Sequence, residues 1–176
     1  EVVKPGFWTQ GPVMLEALKL LEGYDLRGMG HNTVRYLHTV TEALKLAFAD
    51  RERYLADPDW LDVPVDGLLS KAYARDRARL IDLDRAMAQA PAGDPWRYQD
   101  GEAQATSPRR SSRQEEDTTC FVVVDGEGNA VCQLQSIQSG FGSALVAEGT
   151  GILLNNRMTY WHLEEDHVDR LEPGKR

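Results

Sequence analysis

An α+β fold is predicted, with helices in the N-terminal half and strands in the C-terminal half. Three observations predict it. Residues 1–90 carry apolar side chains at helical spacing, residues 118–176 carry short apolar runs, and residues 91–117 carry neither pattern. In "PVMLEALKLLEG", Val13, Met14, Ala17, Leu18 and Leu21 fall on one helical face, and Gly23 ends the segment. Asn32 is placed to cap a longer helix reaching Tyr54. In it Val34, Leu37, Thr41, Leu44 and Phe48 recur at helical spacing, with Glu42, Lys45, Asp50 and Arg51 outside that stripe. "DPDWLDVP" reads as a turn-rich connector. Ser70 then opens a shorter helix, "KAYARDRARLIDLDRAM", whose alternating charges suit a solvated face.

Residues 91–117 are rich in Pro, Gly, Ser and charge, and they read as a flexible linker. After it, "TCFVVVD" and "AVCQLQSIQ" are strands joined by "GEGN". A three-residue loop of Gly126, Glu127 and Gly128 puts Gly128 at the left-handed position such hairpins need. That register pairs Asp125 with Asn129, Val122 with Cys132, Cys120 with Leu134 and Thr118 with Ser136. Two hydroxyls therefore meet at the open end of a mostly apolar face. Cys120 and Cys132 become diagonal neighbours, too far apart for an unstrained disulfide. "GILLNN" reads as a further short buried strand, and "RMTYWHLEEDHVDRLEPGKR" as surface loop anchored by Tyr160 and Trp161.

The totals exclude several classes of function. A chain of 176 residues can bury one real core, while a net charge of -8 argues against an electrostatic grip on nucleic acid or an anionic membrane. No apolar run is long enough to span a bilayer, and "EVVKPGFW" has no basic-then-apolar signal pattern. Two cysteines and four scattered histidines make neither a disulfide framework nor a metal site. No cofactor is expected. His31 and His38 read as structural.

The threonine pair at 118 and 119 stands where the polar segment meets the sheet. A threonine hydroxyl is a weak nucleophile unless a base takes its proton, and a chain-terminal threonine supplies that base as its own α-amine. Such chemistry needs a threonine at a strand start, a cleavable bond before it and a preceding segment that can move away. Asp117–Thr118 satisfies that pattern, with the linker as the departing tail and Ser136 placed to orient the hydroxyl.

The residues also resemble the γ-glutamyltranspeptidase family of N-terminal-nucleophile hydrolases over nearly the whole chain. "LEGYDLRGMGHN", "EALKLAFADRERYLADPDW" and "VPVDGLLSKAYA" are similar to the C-terminal part of its large subunit. "DTTCFVVVDGEGNAV", "FGSALV", "GILLNN" and "LEPGKR" are similar to the start of its small subunit. The resemblance implies a four-layer αββα sandwich, of which this chain forms part. It also implies self-cleavage between Asp117 and Thr118, followed by attack of Thr118 on a γ-glutamyl amide such as glutathione. Water, an amine or a peptide then accepts the acyl group. Thr119 is implied to be a strand residue. Many bacterial relatives are exported, but the compartment of this protein stays open.

The same resemblance exposes departures. Cys120 stands where glutathione-cleaving members have histidine, and a buried small strand residue is expected there. Ser136 replaces the threonine that orients the nucleophile, and Gln138 replaces an asparagine that contacts substrate. Asn156 keeps its place among the substrate contacts. Arg157 and Tyr160 replace the glutamine and aspartate that hold the substrate's α-amino group, in "NNRMTYW" rather than "NNQMDDF". A phenol in place of a carboxylate removes the natural partner of an ammonium, and an arginine beside it costs several kcal/mol. A glutaryl-type acyl amide, as in cephalosporin side chains, is therefore the alternative substrate, and a non-catalytic fragment is the third reading. The resemblance further implies a substrate-binding arginine before residue 1 and, after residue 176, a serine pair and an oxyanion Gly-Gly. The chain is thus expected to need the remainder of the same protein for activity.

Overall fold

A computed structural model describes residues 2–7, 9–100 and 117–175, with Asp117 described by its backbone alone. The described part of the linker is residues 91–100, which hold a short 3-10 turn, η1 (Pro95–Tyr98); the rest, to residue 116, lies outside the described residues. The chain divides into two compact units: Glu1–Arg110 with Leu163–Arg176, and Ser111–His162.

The first unit is helical: α1 (Gly11–Leu21), α2 (Leu26–Met29), α3 (Val34–Tyr54), α4 (Val65–Leu68) and α5 (Lys71–Ala78). Thr33, rather than Asn32, caps α3: its hydroxyl accepts from the Tyr36 amide at 3.2 Å, while Asn32 sits at φ 58° in the turn before it. Ser70 caps α5 by accepting from the Tyr73 amide at 3.0 Å. Helix α1 packs against both α3 and α5. The core is built from Val13, Ala17 and Leu20, with Ala43, Leu46 and Ala47 of α3 and Tyr73 and Ala74 of α5.

Helix α3 buries a different face from the one its large apolar residues mark. Glu42, Ala43, Leu46, Ala47 and Asp50 are buried, whereas Val34, Leu37, Leu44 and Phe48 are exposed. Small alanines admit the close approach of α1, and the two buried carboxylates are satisfied by specific partners. Glu42 accepts from Lys45 Nζ at 2.6 Å and from the Met87 amide at 2.9 Å. Asp50 accepts from Tyr73 Oη at 2.7 Å, Arg77 Nη2 at 3.2 Å and the Gly93 amide at 2.6 Å. Arg77 Nη2 also donates to the Pro91 carbonyl at 2.7 Å, so α5 carries a buried cation where an all-solvated charged face is expected. In α1 the same rotation buries Glu16 and Leu20 and leaves Met14 and Leu18 exposed. His38 fills a structural role, its Nε2 lying 2.8 Å from the Asp82 carbonyl.

In the second unit, β1 (Asp117–Val124) and β2 (Ala130–Gln138) form an antiparallel hairpin. Its register follows the loop geometry: Val122 pairs with Cys132, Cys120 with Leu134 and Thr118 with Ser136. The Asp125 amide donates to the Asn129 carbonyl at 3.0 Å, and Gly128 takes φ 86°. The Asp125 carboxylate is held below its ordinary range by hydrogen bonds from the Asn129 side chain and backbone and from Glu127. Cys120 is exposed rather than buried, and its sulfur lies 3.7 Å from that of Cys132, both as free thiols. The "GILLNN" segment forms one isolated bridge, Val146 to Leu153, instead of a strand, and Ile152 is exposed. Arg157–Tyr160 form a 3-10 turn, η2.

Candidate active site

The hairpin's open end is where the candidate residues gather. The pairing shifts by one residue between Asp117 and Thr118, so Asp117 stands opposite Gln138 and Thr118 opposite Ser136. A bulge at this point breaks the ladder at the bond proposed for cleavage. Thr118 and Ser136 line an open cavity of about 690 Å³ with Thr119, Leu134, Gln135, Ile137, Ile152 and Leu153. Its walls beyond the hydroxyls are mostly aliphatic.

Gln138 ends β2 in a left-handed conformation, φ 76°, with its side chain buried. The turn aims Gln138 Nε2 at Thr159 Oγ1, to which it donates at 2.9 Å. Asn156 binds the chain just after β2: its Oδ1 accepts from the Ser139 amide at 3.2 Å, and its Nδ2 donates to Ser139 Oγ at 2.9 Å. These bonds tie η2 to the end of β2. The Gln138 and Asn156 side chains are thus engaged with Thr159 and Ser139, and neither is among the residues that line the cavity.

Arg157 comes back to Ser136. Its Nη2 donates to Ser136 Oγ at 2.6 Å, and its guanidinium carbon lies 6.0 Å from the centre of the Tyr160 ring. The Gln138 amide also donates to Ser136 Oγ, at 3.4 Å. Ser136 thus sits between a cation and Thr118. The sequence marks Arg157 as a substrate contact; its bond to Ser136 has no signal in the spacing, because the two stand 21 positions apart with mostly irregular chain between them. Among the described residues no cluster of three or more His, Cys, Asp or Glu side chains could hold a metal ion.

The sequence model of the gamma-glutamyltranspeptidase family matches residues 1–176. The chain belongs to that family. It is 38% identical over 169 residues to the glutathione hydrolase-like YwrD proenzyme of Bacillus subtilis, covering 96% of this chain and 28% of that relative. It is 34% identical to the acylase ACY 1 proenzyme of a Pseudomonas species, covering 96% of this chain and 27% of the relative. The cephalosporin acylase of Bacillus halodurans superposes with a TM-score of 0.68 at 34% identity, over 95% of this chain and 26% of that structure. The chain thus spans under a third of the length of these relatives. Membership of the γ-glutamyltranspeptidase family places its fold among the N-terminal-nucleophile hydrolases, and its relatives include glutathione hydrolase proenzymes, acylase proenzymes and a cephalosporin acylase. No described helix is long and apolar enough to cross a membrane.

Proposed function

We propose that the protein carrying this chain is an autoprocessing hydrolase or transferase of γ-glutamyl amides, with Thr118 as nucleophile. The observation that carries the reading is Thr118 at the start of β1, opposite Ser136 and on an open cavity, in a chain matched by the family along its whole length. In processing, Thr118 Oγ1 attacks the Asp117 carbonyl carbon. The Asp117–Thr118 amide bond breaks, and the hydroxyl proton ends on the threonine nitrogen. Water hydrolyses the resulting ester, giving the Asp117 carboxylate and a Thr118 with a free α-amine and a restored hydroxyl. In turnover that amine takes the Oγ1 proton as Oγ1 attacks the γ-glutamyl carbonyl, and it returns the proton to the departing amine nitrogen. Water or an acceptor amine or peptide then releases the acyl group.

Ser136 orients the nucleophile, while Gln138, Asn156, Arg157 and Tyr160 border the acyl group. The hairpin would be the centre of a four-layer sandwich completed by the remainder of the same protein. Its uncovered apolar side chains, Val122 at 62% and Leu134 at 68% exposure, support that reading.

A second reading keeps Thr118 and changes the acyl group to glutaryl or a related anionic acyl. The cation 2.6 Å from Ser136 favours it, since a substrate ammonium there would meet a like charge. Intact-mass measurement of the complete, processed protein mixed with γ-glutamyl anilide tests the first reading: an acyl adduct on the Thr118 fragment supports it. An adduct only with glutaryl anilide supports the second. No adduct with either contradicts both and leaves a non-catalytic scaffold.

A further inference from the structure

A hydroxyl has two acceptor lone pairs and one proton to give. Ser136 Oγ receives Arg157 Nη2 at 2.6 Å and the Gln138 amide at 3.4 Å. The guanidinium keeps its charge throughout the physiological range, and Ser136 stands directly across the hairpin from Thr118. A permanent cation is therefore held one serine side chain away from the threonine whose amine must be neutral to act as a base.

We propose that Arg157 is a positioning residue that tunes the Thr118 α-amine, favouring its neutral, proton-accepting form through a charge fixed on Ser136. The proposal rests on Thr118 being the N-terminal nucleophile. An ammonium near a like charge loses its proton more readily. The described groups around the amine offer little to oppose this. On β2 its neighbours are Gln135, Ser136 and Ile137, and on the segment that bridges to Val146 they are Ile152 and Leu153; none is charged. On η2 the charged group is Arg157, with the Tyr160 phenol beside it. On β1 itself the Asp117 carboxylate belongs to the other fragment once the chain is cut.

Arg157 is exposed, so water and salt screen part of its effect. The expected shift in the amine is about half a unit to one unit. Arg157 thus acts on the amine through space, from the position that its bond to Ser136 fixes.

The test compares pH profiles of kcat/KM in the complete, processed protein, since kcat/KM reports the groups of the free enzyme. The same anilide substrate serves wild type, Arg157→Met and Arg157→Lys. Arg157→Met is expected to move the acid limb up by about half a unit to one unit, and Arg157→Lys to leave it within about 0.3 units of wild type. An acid limb in Arg157→Met that superimposes on wild type overturns the proposal, as does an equal shift in the lysine variant. A merely structural role would lower activity at every pH without moving the limb. A purely substrate-binding role would raise KM and leave the limb in place, which also overturns it. If Arg157→Met does not process itself, pH-dependent labelling of the Thr118 amine in wild type decides. A midpoint below the ordinary α-amino range of about 7.7–8.0 supports the proposal, and one at or above it overturns it. A wild-type protein that shows no free Thr118 amine and no acyl adduct refutes the nucleophile reading itself, and this inference with it. A wild type that turns over with an unmoved limb refutes the inference alone.

Discussion

Replacing Glu16 by glutamine should make the helical unit more stable, and increasingly so as pH rises. Glu16 lies in the core of α1 at 2% exposure. Burial pushes its carboxyl up to about 11, helped by a hydrogen bond to Asp50 and by the Asp50 charge, and opposed by Arg77. Its ordinary value is near 4.5. Below that value the folded and unfolded chains both carry the proton and no penalty arises. Above it the unfolded chain ionises while the folded chain keeps its proton, so stability falls with pH until the folded group also ionises. The slope is about 1.4 kcal/mol per pH unit, or about 4 kcal/mol between pH 5 and pH 8. In Glu16→Gln the carboxamide is neutral in both states and can still donate to Asp50, so this slope disappears. Urea denaturation of both proteins at several pH values in that range measures the difference, in which contributions from titrating groups that do not interact with Glu16 cancel. The stability difference should widen in favour of the variant by about 1 kcal/mol or more per unit. Parallel curves would show that Glu16 is ionised in the folded protein, and the description of the buried network would be wrong.

Further outcomes follow from the same geometry. Tyr73→Phe removes the 2.7 Å bond to Asp50 while Arg77 and the Gly93 amide remain, and should cost about 1–2 kcal/mol in denaturant titrations. Gly128→Ala forces a side chain onto a residue at φ 86° and should destabilise the hairpin by about 1 kcal/mol, read as faster amide exchange across β1 and β2. Ser136→Ala leaves Arg157 without its acceptor beside Thr118. It should slow self-cleavage about 10- to 100-fold in a mass-spectrometric time course, whereas an unchanged rate would exclude Ser136 from the site.

The hairpin was legible in the sequence because its loop leaves little choice. Gly126-Glu127-Gly128 sets a loop length, Gly128 supplies the positive φ, and the pairing from Asp125 to Thr118 follows residue by residue. Helix α3 was legible as a helix but not in its orientation. Its large apolar residues and its alanines lie on different faces, and hydropathy alone favours Leu44 and Phe48 over Ala43 and Ala47. What decides the matter is the burial of Glu42 and Asp50 with partners on other segments, among them Met87, Tyr73, Arg77 and Gly93. Such partners are invisible to a periodicity. In the candidate site, spacing brings Thr118 opposite Ser136. The return of Arg157 depends on the positive φ of Gln138 and Ala144 and on Asn156 bonding to Ser139, which no local rule specifies.

The central claim is that Thr118 becomes a chain terminus. Intact-mass measurement of the complete protein tests it most directly, with Thr118→Ala alongside. The account predicts two fragments whose masses place the cut between Asp117 and Thr118 in the wild type, and one uncut chain in the variant. An uncut wild type, or a cut that persists in Thr118→Ala, would contradict it.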